Sequence, residues 1–299
     1  MPKKDVFQEV TNTIIEALEG AGEKTLPWRM PWTSGGLIPR NGLSGRPYNG
    51  INPFYLQAVA SKQGWTSNDW FTYNGAKKAG GNVIKGERSK AFVVYWNISK
   101  VKDPKAKDGE RTVPFLRHFA VFNKEQCEGL ESWDIDAKAV PLSDDERLAE
   151  VDRFIKATGA DISEGGQACY YPSRDKIELP PFENFKSAEG YYSTALHELS
   201  HWTGHKSRID RDLTGRFGNV AYSAEELVAE FSSAYLCNIL KVEGEVQHTE
   251  YIQSWIKLLK EDKKAIFKCC TEARKASEFL LDAGGVKVFE EAEAETVEA

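Results

Sequence analysis

The stretch "YYSTALHELSHWTGH", residues 191–205, constrains this chain more than any other. Three of the five histidines fall in it, and two of them, His197 and His201, are four residues apart. That spacing predicts a helix with both imidazoles on one face, one turn apart, where they can meet a single metal ion. Glu198 is offset around the same helix, beside the metal rather than on it. There a carboxylate can take a proton from metal-polarised water. A fold that uses this arrangement must bring a third ligand against the helix from elsewhere in the chain.

The pattern is the H-E-x-x-H of zinc hydrolases, and the third ligand decides the subclass. Gly204 stands where the three-histidine version has its glycine, but Ser207 replaces the expected third histidine. His205 is a poor substitute, because it lies about 12 Å along a continuous helix from His197. A glutamate from a later helix is the other option, and "YSAEELVAEFSSAYL", residues 222–236, is such a helix. Glu226 and Glu230 share a face of it, while Glu225 points about 100° away. Leu227, Val228, Phe231, Ala234 and Tyr235 make this helix largely buried, where unpaired carboxylates are costly and want a cation. The expected ligand is Glu226, with Glu230 as the carboxylate that orients a ligand histidine. Glu225 and Glu230 stay open as alternatives for the ligand itself.

Three protein ligands leave one coordination position for water, as catalytic sites do. Imidazole and carboxylate suit Zn2+, and Mn2+, Co2+ or Ni2+ could occupy the same donors. The segment "ACYYPSRDKIELP" reads as a β-hairpin that could offer an edge strand to an extended peptide. Tyr170, Tyr171 and Tyr222 are candidate donors to an oxyanion.

The net charge of −6 divides unevenly along the chain. Residues 1–130 hold 19 Lys+Arg against 12 Asp+Glu, a balance of +7, and the remaining 20 against 33 give −13. Five of the eight tryptophans also lie in the basic part. This split predicts two domains of an α+β protein, at residues 1–130 and 140–288, followed by an acidic disordered tail at 289–299. Helices are expected over 5–20, 54–63, 70–79, 187–203, 223–240 and 249–283. Two strands are expected in "NVIKGERSKAFVVYWNIS" and "RTVPFLRHFAVFN", and a capping box at Ser143 and Glu146.

In the basic part, "LPWRMPW" and "GRPYNGIN" place Trp28, Arg29, Trp32, Arg46, Tyr48 and Asn49 in irregular chain. "NGAKKAGGNVIKGERSK" adds Lys77, Lys78, Lys85, Arg88 and Lys90. Cations beside rings suit single-stranded nucleic acid, since charges track phosphates and rings stack on unpaired bases. No recognition helix for a duplex stands out. The five cysteines form no C-x-x-C pair and read as reduced core thiols. No run of 18 apolar residues predicts a membrane span, and "MPKKDVFQEV" lacks the apolar region of a secretory signal, so the expected location is cytoplasmic.

The pieces "LPWRMPW", "GRPYNGIN", "GNVIKGERS", "RHFAVFNKEQCEGL", "YYSTALHELSHWTGHKSRIDR" and "YSAEELVAEF" span nearly the whole chain. In them the chain resembles the ArdC-type antirestriction proteins of conjugative plasmids. The resemblance implies an N-terminal domain that binds single-stranded DNA and a C-terminal zincin-like metallopeptidase domain. It implies that His197 and His201 are ligands, Glu198 is the catalytic glutamate, and the "EELVAE" helix supplies the third ligand. It also implies protection of incoming plasmid DNA from host restriction. Two functions fit these expectations: a metal-dependent peptidase that cuts a host protein near the DNA, or a DNA-coating protein whose metal domain serves as scaffold or partner surface.

Overall fold

The computed structural model describes residues 5–21, 26–29, 38–102, 110–130, 144–214, 219–242 and 249–287. Expectations for Ser143, Trp32 and the tail at 289–299 lie outside these residues. The chain divides into two compact units, Met1–Ala17 with Trp32–Ala139 and Leu18–Pro31 with Val140–Ala299. The segment Leu18–Pro31 therefore groups with the second unit, although its charge and aromatic content suggest the first. The reason is packing: Leu26 and Trp28 are buried, and the Trp28 ring lies 5.3 Å from that of Phe231.

Helix α1 (Val6–Ala21), in the first unit up to Ala17, has a stripe at helical spacing, of which Val10 and Ile14 are buried. A four-stranded sheet has the order β1 (Arg40–Asn41), β2 (Asp69–Phe71), β5 (Glu110–Asn123) and β4 (Ala91–Lys102). The long β4–β5 hairpin runs in antiparallel register from Ala91 opposite Val121 to Lys102 opposite Glu110. Helix α2 (Asn52–Gln63) caps the outer edge of β4, since the Asn52 amide donates to the Val94 carbonyl and accepts from its N–H. Gly42 is required because a Cβ there would fall within the Phe71 ring.

The helix expected over 70–79 instead splits. Trp70 and Phe71 are wholly buried in β2, and the Thr72 side chain then caps a short helix α3 (Tyr73–Lys78) by accepting from Gly75 N–H. The first expected strand is also interrupted: Asn82–Val83 form β3, paired with β6 (Cys127–Glu128), and Gly86 at φ 95° turns the chain before β4 begins.

In the second unit, after Leu18–Pro31, come α4 (Asp144–Ala157) and β7 (Asp161–Glu164), a strand not anticipated from its polar sequence. It pairs parallel to β9 (Lys176–Leu179), whose other side pairs antiparallel to β8 (Cys169–Tyr171). The order β7–β9–β8 leaves β8 at an edge. Helices α5 (Ala188–Trp202), α6 (Val220–Leu240), α7 (Thr249–Glu261) and α8 (Ala265–Ala283) follow. The single helix expected over 249–283 breaks because Asp262 accepts from the Lys264 N–H through its side chain, a local bond that competes with the helix ladder. Val151, Phe154, Ile177, Leu196, Leu199, Leu236 and Leu280 join α4, the sheet, α5, α6 and α8 in one core. Each such side chain, fully buried, contributes about 1.5–3 kcal/mol. That core fixes α5 against α6.

Candidate metal centre

Ser187 starts α5 by accepting from Gly190 N–H, and Asn219 starts α6 by accepting from Tyr222 N–H. The two caps set the helical phase that turns His197 and His201 of one helix toward Glu226 of the other. His197 and Glu226 are buried and His201 nearly so. The two histidine Nε2 atoms are 3.2 Å apart, and each lies 3.5 Å from a different oxygen of Glu226. These three residues form the one group of potential metal ligands among the described residues. The donors fit a divalent ion. Two nitrogens bound at about 2.0–2.1 Å to a tetrahedral centre stand about 3.3–3.4 Å apart, close to the spacing seen.

Without a cation the charges compensate each other. Burial disfavours a charged His201, but hydrogen bonds to Glu225 and Glu226 outweigh it and hold its pKa well above the ordinary histidine value. Burial likewise pushes the Glu226 carboxyl up, and the bonds to His197 and His201 reverse this and drive it far below the usual carboxylate range.

The partner that orients His201 is Glu225, not Glu230. Glu225 Oε1 lies 3.1 Å from His201 Nδ1, leaving Nε2 to face the ligand cluster. Arg211 donates to both oxygens of Glu225, at 2.8 and 3.0 Å, and also to Thr203 Oγ1 and the Ser200 carbonyl. Glu230 accepts from Trp28 Nε1 at 3.3 Å, one turn further along α6 than Glu226. A helix face of about 100° is wide enough for Glu225 and Glu226 both to reach α5, so at His201 the orienting role expected of Glu230 falls to Glu225. Arg211 carries no signal in a single sequence, since a buried arginine looks like any loop arginine.

Glu198 Oε2 accepts from the backbone N–H of Tyr170 on edge strand β8, at 2.7 Å. A cavity of about 540 Å3 opens beside it, lined by Cys169, Tyr170, His197, Glu198, Tyr222, Glu226 and Tyr251 among others. The hydroxyls of Tyr222 and Tyr251 are 3.2 Å apart in its wall. Burial, then the Tyr251 hydroxyl and the Glu226 carboxylate, raise the Tyr222 pKa, so it stays protonated as a donor. Tyr170 instead turns its hydroxyl to Asp175, and no local sequence pattern marks Tyr251, which comes from helix α7. His205 bonds Ser207 and lies outside the ligand cluster.

The described residues expected to meet nucleic acid differ in exposure. Trp28 is 1% exposed and Tyr48 5%, so neither ring offers a face to a base. Both were expected as stacking residues, and packing against the core overrides that expectation. Arg46 is exposed and Asn49 half-buried, on the chain between β1 and α2. Lys77 and Lys78 lie exposed on α3, and Lys85, Arg88 and Lys90 lie exposed before β4. The backbone of Arg29 forms part of a single 3-10 turn.

Among the described residues no helix is long and apolar enough to cross a membrane. Residues 4–122 match a sequence model of the N-terminal domain of anti-restriction factor ArdC, and residues 149–272 match one of a zincin-like metallopeptidase. An uncharacterized protein, y4eC, of Sinorhizobium fredii is 35% identical over 92% of this chain and 91% of its own length. A DNA primase TraC of Escherichia coli is 37% identical over 93% of this chain, which spans 27% of that primase. Crystal structures of antirestriction protein ArdC from plasmid R388 are 39% identical over 94% of this chain and 98% of theirs. The metal-free form superposes with a TM-score of 0.77 and the Mn(II)-bound form with 0.74. The two-domain α+β chain with its zincin-like second domain thus belongs to the ArdC family of antirestriction proteins.

Proposed function

We infer that this protein binds single-stranded DNA through its first domain and hydrolyses peptide bonds at the metal centre of its second. The expected outcome is protection of incoming plasmid DNA from host restriction. The observation that carries the reading is the convergence of His197, His201 and Glu226 beside Glu198, on a cavity next to an edge strand. The basic balance of residues 1–130 supports the DNA-binding part.

A divalent ion held by His197 Nε2, His201 Nε2 and a Glu226 oxygen would polarise a water and the scissile carbonyl. Zn2+ suits the donors, and Mn2+, Co2+ or Ni2+ fit them too. The chain's own residues then divide the work. Glu198 keeps Oε2 on the Tyr170 N–H, which leaves Oε1 to take the proton from water and pass it to the leaving amine. Beside the Tyr170 N–H that Glu198 holds, the outer edge of β8 can still accept from an extended peptide and lay its carbonyl over the site. Tyr222 and Tyr251 can donate to the carbonyl oxygen as negative charge develops on it. Glu225 and Arg211 keep His201 in the tautomer that presents Nε2.

The test is conjugation into a restricting recipient with wild type and Glu198→Gln. The substitution keeps an acceptor for Tyr170 N–H and removes the base. Loss of protection with metal and DNA binding intact supports a peptidase acting on a host protein. Full protection by Glu198→Gln leaves DNA coating as the mechanism and the metal domain as scaffold or partner surface.

A further inference from the structure

With Trp28 and Tyr48 buried, the question is which rings of residues 1–130 a base could reach. Strand register answers it. Tyr95 of β4 stands opposite Arg117 of β5, and residues paired across strands share a face. Phe115 and Phe119, two residues either side of Arg117, share that face as well. On the opposite face Phe92 is buried 5.0 Å from Tyr55 of α2, and Trp96, 55% exposed, lies 6.1 Å from Phe7 of α1. On the first face Tyr95 is 40% exposed, Arg117 is exposed, and Phe115 and Phe119 are half-buried.

The four side chains form a contiguous patch. Tyr95 meets Phe119 edge-on at 5.9 Å, and the Arg117 guanidinium lies over the Phe115 ring at 5.4 Å. Three rings around a guanidinium, at the partly exposed end of a face whose other end buries Val93 and Val121, match what unpaired bases and a phosphate need. The +7 balance of residues 1–130 favours the same polyanion. A strand laid along β5 would meet ring, cation and ring in turn. A duplex keeps its bases stacked on each other and could use only the cation.

We propose that Tyr95, Phe115, Arg117 and Phe119 are the stacking platform for single-stranded DNA. This rests on the DNA-binding reading above and moves its aromatic contacts from the loop to the hairpin face. The exposed Lys77, Lys78, Lys85 and Lys90 remain as phosphate contacts.

The test is fluorescence anisotropy of a labelled oligonucleotide with the full chain, across a salt series. The variants are Tyr95→Phe, Arg117→Ala and the double change Tyr95→Ala with Phe115→Ala. Wild type and Tyr95→Phe should bind equally, because the ring is kept. The double variant should lose about 10-fold or more in affinity for the single strand, at unchanged melting temperature. Arg117→Ala should flatten the dependence of log affinity on log salt by about 0.7. Wild-type affinity in the folded double variant overturns the platform while leaving DNA binding intact. No single-strand binding by wild type removes the underlying reading and the platform with it. Self-association that the double variant abolishes would assign this face to a second copy of the chain instead.

Discussion

Replacing Glu225 with Gln should weaken metal binding far more than replacing Glu230, although both glutamates lie near Glu226 in sequence. Glu225 Oε1 is shared by His201 Nδ1 and Arg211, and its second oxygen is held by Arg211 Nε. An amide offers one oxygen where the site uses two, so either the imidazole or the guanidinium loses its acceptor. Loss of such an orienting partner costs about 10–100-fold in metal affinity, which is ~1.4–2.7 kcal/mol. Arg211, only 5% exposed, is left imperfectly paired, and the metal-free fold should lose a further ~1–3 kcal/mol. Glu230→Gln still offers Trp28 Nε1 an oxygen and leaves the Glu225–His201 bond in place, so metal affinity should change less than about 3-fold. Isothermal titration with Mn2+ and Zn2+ measures both, with circular dichroism to establish that each variant is folded. Equal effects from the two substitutions, or a folded Glu225→Gln protein with wild-type affinity, would refute the assignment of Glu225 to His201.

Trp28→Ala should destabilise the fold by ~3–5 kcal/mol in denaturant titration. It should leave single-strand affinity unchanged where the protein is folded, and a selective loss of DNA binding would return Trp28 to the DNA surface. Tyr222→Phe should lower the rate of peptide cleavage by about 10-fold or more with metal affinity intact. An unchanged rate would remove Tyr222 from the reaction. The metal-free protein should be most stable between about pH 4.5 and 6.5 as far as this cluster is concerned. His201 has a raised pKa, so its contribution is full below its ordinary value of 6.5 and fades as pH climbs through the raised one. Glu225 and Glu226 have lowered values, so theirs is full above 4.5 and fades as pH falls through the lowered ones. Metal must displace the proton on His201, so the melting-temperature gain from added ion should grow from pH 5 to 8. A gain independent of pH over that range would contradict this ordering.

How far the sequence carries depends on the range of the forces involved. His197, Glu198 and His201 are legible because one helix and its period relate them, and the same period marks Glu226 on α6. Glu225 and Glu230 are separable only once the roll of α6 against α5 is known, which depends on packing spread over 100 residues. Arg211, Tyr251 and the Tyr170 N–H join the site through contacts between distant segments, and no local pattern marks them. In residues 1–130 composition speaks for a polyanion, but it cannot tell a tryptophan that fills a core from one that waits for a base. Trp28 and Tyr48 are of the first kind. The alternation Phe115, Arg117, Phe119 is present in the sequence, yet only the register with Tyr95 gives it a face. The break at Asp262 turns on one side-chain hydrogen bond within an otherwise continuous helical stripe.

The most direct test of the metal centre is the number of ions bound per chain, by mass spectrometry of the native protein, in wild type, Glu226→Ala and Glu198→Gln. One ion in wild type and in Glu198→Gln, and none retained by Glu226→Ala, is the predicted result. An ion held equally well by Glu226→Ala, or lost from Glu198→Gln, would contradict the assignment of Glu226 as ligand and Glu198 as the base beside it.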